Sequence, residues 1–195
     1  EKEEAIPKWL SPIEYSHQQR DYNRRLQEGE GQWFVRSPEF QRWIGSRKQT
    51  LFFPGTPGVG KTILTSRVID ELYKRYQRDP SIGFAYLYYD YRRQDEQDIV
   101  SLLASLLKQL SEMKHSLPEE VQDLYGKHKN RQSRPSLLEL VGVLKRVIWY
   151  FLQSFIIIDA LDEWQVAGGC RNGLLSEIFQ LAADRPKAEA RQAGI

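Results

Sequence analysis

The run Phe52-Phe53-Pro54-Gly55-Thr56-Pro57-Gly58-Val59-Gly60-Lys61-Thr62 constrains this chain more than any other stretch. It satisfies G-x-x-x-x-G-K-[ST] at Gly55, Gly60, Lys61 and Thr62. A β-forming run, Thr50 to Phe53, leads in, and a helical pattern follows. Strand, glycine loop, helix is the order that a phosphate-binding loop requires. Its three glycines remove side chains that block close approach, so several backbone N–H groups can converge on one anion. The helix behind adds its own unpaired N–H groups and the positive end of its dipole. In this reading Gly55, Thr56, Pro57, Gly58, Val59, Gly60, Lys61 and Thr62 wrap a nucleoside polyphosphate. Lys61 reaches the β- and γ-phosphates, and the Thr62 hydroxyl ligates Mg²⁺. The bland alternative is a Gly/Pro-rich turn before an ordinary helix, which leaves the flanking pattern unexplained.

The second informative stretch is Phe155-Ile156-Ile157-Ile158-Asp159-Ala160-Leu161-Asp162-Glu163. Four apolar residues ending in Asp predict a buried parallel strand that delivers a carboxylate to its C-terminal edge, where ligands bind in open α/β sheets. Asp159 there can hold Mg²⁺ opposite Thr62. Asp162 and Glu163 stand just beyond, placed to orient or deprotonate an attacking water. An apolar run before Asp is a weak signal alone and gains its force from following a full phosphate loop.

Between and around these stretches the pattern alternates helix and strand. Glu1 to Ile6 reads as charged and frayed, and Ser11-Pro12 as the cap and first turn of a polar helix to about Leu26 that packs weakly. Gln32 to Val35 is a short apolar run, and Ser37-Pro38-Glu39 opens a helix that buries Phe40, Trp43 and Ile44. Trp33 and Trp43 read as core plugs, although a segment just before the loop strand is also placed to lie beside a nucleotide base. Leu64, Val68, Leu72 and Tyr76 give the helix from Lys61 one apolar face, and Gly83 to Tyr89 reads as a buried strand. Arg92 and Arg93 are read as pairing with Asp95 and Glu96 rather than reaching a phosphate. Ile99 to Leu110 is a strongly apolar helix, Ser136 and Glu139 form a capping box, and Gly173 to Ala183 is amphipathic. Three core strands are therefore expected: Thr50–Phe53, Gly83–Tyr89 and Phe155–Asp159.

Composition bounds the rest. With 195 residues, 41% hydrophobic and 28% charged, the chain is long enough for one globular core. A net charge of +2 gives no electrostatic case for nucleic acid or a membrane surface. The single cysteine, Cys170, excludes an internal disulfide and fits a reducing, cytoplasmic compartment. No apolar run reaches the length of a bilayer span. Neither His115 nor His128 has a partner at metal-ligand spacing.

Residues 155–163 resemble the acidic motif of NACHT domains, in which a small residue follows the metal-binding Asp and two acids stand three and four positions after it. The wider pattern resembles the nephrocystin-like N-terminal P-loop module of fungal NOD-like receptors. There a Gly-x-Gly-Gln-Trp segment and a Phe-x-x-Trp helix precede the loop, as Gly29 to Trp33 and Phe40 to Trp43 do here. Arg92-Arg93-Gln94-Asp95-Glu96 also resembles that family, and Glu30 departs from it where Thr is common. The resemblance implies an α/β P-loop NTPase, a parallel sheet flanked by helices, incomplete at its C-terminal end. It divides the chain into an N-terminal linker helix at 1–30, the NTPase part at 31–184 and an irregular tail at 185–195. It implies an ATP-binding and ATP-hydrolysing switch with Mg²⁺ that signals by self-association. Effector and repeat domains are expected elsewhere in the full-length protein, and neither nucleic acid nor membrane is an expected partner. Gly55, Gly58, Gly60, Lys61 and Thr62 take the phosphate role, Thr62 and Asp159 the metal role, Asp162 and Glu163 the water-activating role. The sensor Arg that ends the next strand in that family has no match after Leu181.

Two other readings compete: a small-molecule kinase, with Lys127 to Arg134 pressed into service as a lid, and a scaffold that binds nucleotide without turnover. No Asn-Lys-x-Asp motif reads guanine, which favours ATP. In the class this chain resembles, one more strand inserts between the phosphate-loop strand and the acidic-motif strand, and Asp184 to Ile195 offers no apolar run to form it. These residues alone are therefore expected to be a poor ATPase of marginal stability. Each orphaned buried polar group costs about 1–3 kcal/mol against a total of roughly 5–15.

Overall fold

The computed structural model describes residues 2–56, 58–90, 92, 97–161 and 170–183. Among them the chain is α/β, with a small parallel sheet of two strands set among helices. The order is α1 (Lys2–Leu10), α2 (Tyr15–Arg25), α3 (Gln32–Val35), α4 (Pro38–Gly45), α5 (Lys61–Tyr76), β1 (Ile82–Tyr88), α6 (Ile99–Glu112), α7 (Glu119–Lys129), α8 (Leu137–Trp149), β2 (Gln153–Asp159) and α9 (Cys170–Ala183).

The strands form where β-branched and aromatic residues cluster. β1 is buried along its whole length, and β2 pairs with it in register from Ile82↔Gln153 to Tyr88↔Asp159. The parallel connection runs through α6, α7 and α8, a crossover of the kind parallel strands need. α5 covers one face of the sheet: Tyr73 meets Phe84 edge-on at 4.6 Å, and Tyr76 stacks on Phe155 at 5.9 Å. Leu64, Val68 and Leu72 are buried on the same stripe, as their spacing requires. α6 carries leucines at 102, 103, 106, 107 and 110, all fully buried, because it packs against β1, α8, α1 and α9 at once.

Local signals hold where they are strongest. Ser37 Oγ accepts the Phe40 N–H at 3.2 Å to start α4, and Ser136 with Glu139 forms the reciprocal capping box of α8. No helix among the described residues is long and apolar enough to cross a membrane.

Four expectations are corrected. Thr50–Phe53 forms no strand. Gln153 Nε2 donates to the Ile44 and Ser46 carbonyls at the start of β2, and Thr65 on α5 bonds Asp159 at its end. The intervening segment therefore passes from one end of β2 to the other without joining it. A strand needs a ladder neighbour, and with none beside it Phe52 stays 71% exposed. The chain's start is a helix, not a frayed end: Ile6 and Leu10 are buried, and Trp9 packs edge-on against Tyr125 at 5.1 Å. Ser11 caps nothing; it is buried in the joint between α1 and α2, bonded to Ser105 at 2.8 Å. Trp33 is no core plug either, at 64% exposed, its ring lying 6.2 Å from Phe53.

Candidate functional site

The glycine loop hands the chain to α5 through two residues in the left-handed region, Gly58 at φ +86° and Gly60 at φ +85°. A side chain is strained at such angles, which accounts for glycine at both positions. Gly60 is also the N-cap of α5, and no side chain caps the helix there. The first intrahelical bond is Leu64 N–H to Gly60 O at 2.9 Å, so the amides of Lys61, Thr62 and Ile63 point out of the helix end. A helix end of this kind favours negative charge. Lys61 folds back across the loop, its Nζ donating to Gly55 O at 2.6 Å. Thr56 and Val59 are exposed on the same loop, and Thr62 is half-buried on the first turn of α5.

Asp159 ends β2 and is buried. Its Oδ1 accepts from Thr65 Oγ1 at 3.1 Å, so the carboxylate and the first turns of α5 do meet. The hydroxyl that touches it belongs to Thr65, three residues past Thr62. The sequence holds a faint signal for this: Thr62 and Thr65 share a helix face at i, i+3. Hydroxyl and carboxylate oxygens are the ligands a hard cation takes, so the donor set fits Mg²⁺. Among the described residues no three His, Cys, Asp or Glu side chains converge, at Asp159 or elsewhere. Ala160, directly after, sits at φ +57°, a conformation that a small side chain tolerates best. The turn it makes begins the stretch toward Asp162 and Glu163, which with Pro57 lie outside the described residues.

Opposite Asp159 in the ladder stands Tyr88. Burial pushes its phenol well above the ordinary range, so it stays protonated and donates, to Gln19 Oε1 on α2. Gln19 and its neighbour Asn23 reach α5 as well, through Ser66. Sequence reasoning missed this cluster because polar residues on a polar helix look solvated. Arg92 is exposed, with its N–H on Asp90 Oδ1 at 3.0 Å; Arg93, Asp95 and Glu96 lie outside the described residues. The basic stretch from Lys127 to Arg134 is engaged locally: Lys127 pairs with Glu139, and His128 lies between Ser133 at 2.7 Å and Glu139 at 3.3 Å. A separate cavity of about 290 Å³ lies at the outer side of β1, lined by Glu14, Tyr73, Tyr86, Lys108 and Glu112 among others, and none of the described residues of the glycine loop lines it.

Neither the curated proteins nor the solved structures contain a match to this chain. The family described as nephrocystin 3, N-terminal, does match it, over residues 29–190. That span begins after α2 and takes in the loop, both strands and the acidic turn. The chain belongs to the nephrocystin 3 N-terminal family.

Proposed function

We propose that this chain is the nucleotide-binding core of an ATP-hydrolysing regulatory switch, a NACHT-like P-loop NTPase of the NOD-like receptor kind. One juxtaposition supports the reading above all: a buried carboxylate, Asp159, bonded to the first turns of α5 at the C-terminal end of a parallel strand pair. That helix starts directly from an uncapped glycine loop. Ligands of parallel sheets bind at that edge.

The roles follow from the chemistry of the groups. The loop amides and the end of α5 cradle phosphate oxygens. Lys61 already crosses the loop to a neutral carbonyl, and phosphate offers its ammonium a stronger, charge-assisted partner. Thr62 and Asp159 would hold Mg²⁺, which when bound neutralises charge on the β- and γ-phosphate oxygens. Asp162 and Glu163 are the proposed acids that orient or deprotonate water. Self-association in the ATP-bound form and a cytoplasmic location belong to the same proposal.

Titration with a fluorescent ATP analogue, with phosphate release and transfer to an acceptor followed in parallel, tests it. Lys61→Ala is expected to keep its far-ultraviolet circular dichroism and lose about 2–5 kcal/mol of binding, roughly thirty- to several-thousand-fold in affinity. An unchanged affinity would sink the phosphate-loop assignment. Transfer to an acceptor would favour a kinase, and tight binding with neither activity a scaffold.

A further inference from the structure

The Asp159 carboxylate is bonded from α5, its residue is laddered to Tyr88, and both of these neighbours are fastened to the same N-terminal helix. On one side Thr65 Oγ1 donates to it from α5 at 3.1 Å. The next residue of α5, Ser66, is fully buried and turned toward α2: its Oγ donates to Asn23 Oδ1 at 2.7 Å, and its carbonyl accepts from Gln19 Nε2 at 3.0 Å. On the other side Tyr88 shares the last rung of the ladder with Asp159 and donates its phenol proton to Gln19 Oε1. Gln19 Nε2 also reaches Asn23 Oδ1, at 3.1 Å, which closes the network. Gln19 itself is only 4% exposed. Burying an amide so deeply is costly unless its bonds are made, so the register of α2 on α5 is tightly specified. The ring contact of Tyr22 with Tyr88, 4.9 Å between centroids, adds an apolar fastening at the same point. All of this comes from residues 15–25, which precede the span matched by the family.

We propose that α2 is a positioning element of the nucleotide site: Gln19 and Asn23 fix α5 and Tyr88 so that Thr65 presents Asp159 in the geometry that takes the metal. The inference rests on the phosphate-loop reading above. By linkage, docking of α2 strengthens Mg²⁺-nucleotide binding, and Mg²⁺-nucleotide tightens α2 by the same factor. Whatever lies before Tyr15 thereby gains a route to the site, since pulling α2 away loosens α5, which bears Thr65, and Tyr88, the ladder partner of Asp159.

The test uses the full chain with a fluorescent ATP analogue, titrated with Mg²⁺ and with a chelator. Thr65→Val and Gln19→Met are each expected to weaken Mg²⁺-dependent binding by about 5- to 50-fold and to leave metal-free binding within about twofold. Thr65→Ser, which keeps the hydroxyl, restores the wild-type Mg²⁺ response. Hydrogen exchange across residues 15–25 slows when Mg²⁺ and ATP are added to the wild type. An equal loss with and without Mg²⁺ would mean a merely structural role and overturn the proposal, as would an unaltered Mg²⁺ response or absent protection of 15–25. If Gln19→Met does not fold, Asn23→Ala, which removes the acceptor of Ser66 and Gln19, takes its place, and the hydrogen exchange of residues 15–25 with and without Mg²⁺ and ATP decides with it. Wild-type protein that binds no nucleotide under either condition overturns the phosphate-loop reading and this inference together. Binding that depends on Lys61 and ignores α2 overturns only this inference.

Discussion

Gln109 on α6 bonds the backbone of Tyr86 on β1 at both of its groups: the Tyr86 N–H donates to Oε1 at 3.1 Å, and Nε2 donates to the Tyr86 carbonyl at 2.8 Å. A side-chain amide thus stands where a neighbouring strand would. Met113 Sδ takes the Phe84 N–H and Gln97 Nε2 donates to the Tyr88 carbonyl, so side chains take backbone groups along this edge at three successive outward residues. Edge closure of this kind blocks unwanted strand addition and leaves β2 as the side on which the sheet can grow.

Removing that amide should be costly. Gln109→Leu leaves two backbone groups of Tyr86 without partners in a buried strand, at about 1–3 kcal/mol each. Urea unfolding is expected to show a lower midpoint with an unchanged slope. An unaltered midpoint would mean that water replaces the amide.

The two acid roles should separate by substitution. Asp159→Asn is expected to weaken Mg²⁺-dependent ATP binding roughly tenfold or more, because it removes the charge from the buried donor at the strand end. Within the complete domain, Glu163→Gln should bind ATP normally and hydrolyse it about 10²- to 10⁴-fold more slowly, accumulating the ATP-bound form. Wild-type turnover in that variant would move the role to Asp162 or elsewhere.

The cap of α8 carries a pH dependence. Lys127, then the backbone and hydroxyl of Ser136, hold the Glu139 carboxyl well below the usual carboxylate range. In the unfolded chain a Glu titrates near about 4.3. The folded value is the lower one, so the folded state binds fewer protons, and the stabilisation is complete above the unfolded value and lost as pH falls below it. Wild type should therefore exceed Glu139→Gln in thermal stability at pH 7, and the gap should close as pH drops below about 4. A gap independent of pH would refute the assignment.

Ala160 holds a left-handed backbone at φ +57° directly after Asp159. An L-residue pays roughly 1–2 kcal/mol for that conformation, and a β-branched one more. Ala160→Val is expected to lower the melting temperature by about 2–4 °C or more. Ala160→Gly should be neutral or slightly stabilising, the relief offset by about 0.4–1 kcal/mol of extra unfolded-state entropy. A valine variant as stable as wild type would place the residue in ordinary backbone.

What the sequence by itself determined are the features set within a few residues of one another. The 3.6-residue apolar stripe from Leu64 to Tyr76 specifies α5 and its buried face. The Ser136–Glu139 box specifies where α8 begins, and the aromatic and β-branched runs specify β1 and β2. The glycine pattern specifies the loop, since positive φ at Gly58 and Gly60 is a property of the local backbone. Only the tertiary structure decided the features that depend on a distant partner. Thr50–Phe53 has strand chemistry but finds no ladder, because a strand is made by its neighbour and not by its own residues. The contact of Thr65 with Asp159, and those of Gln19 with Ser66 and Tyr88, join segments far apart in the chain. A polar side chain carries no periodic mark that separates a solvated position from a buried, fully bonded one, and folding alone distinguishes them by bringing the partner close.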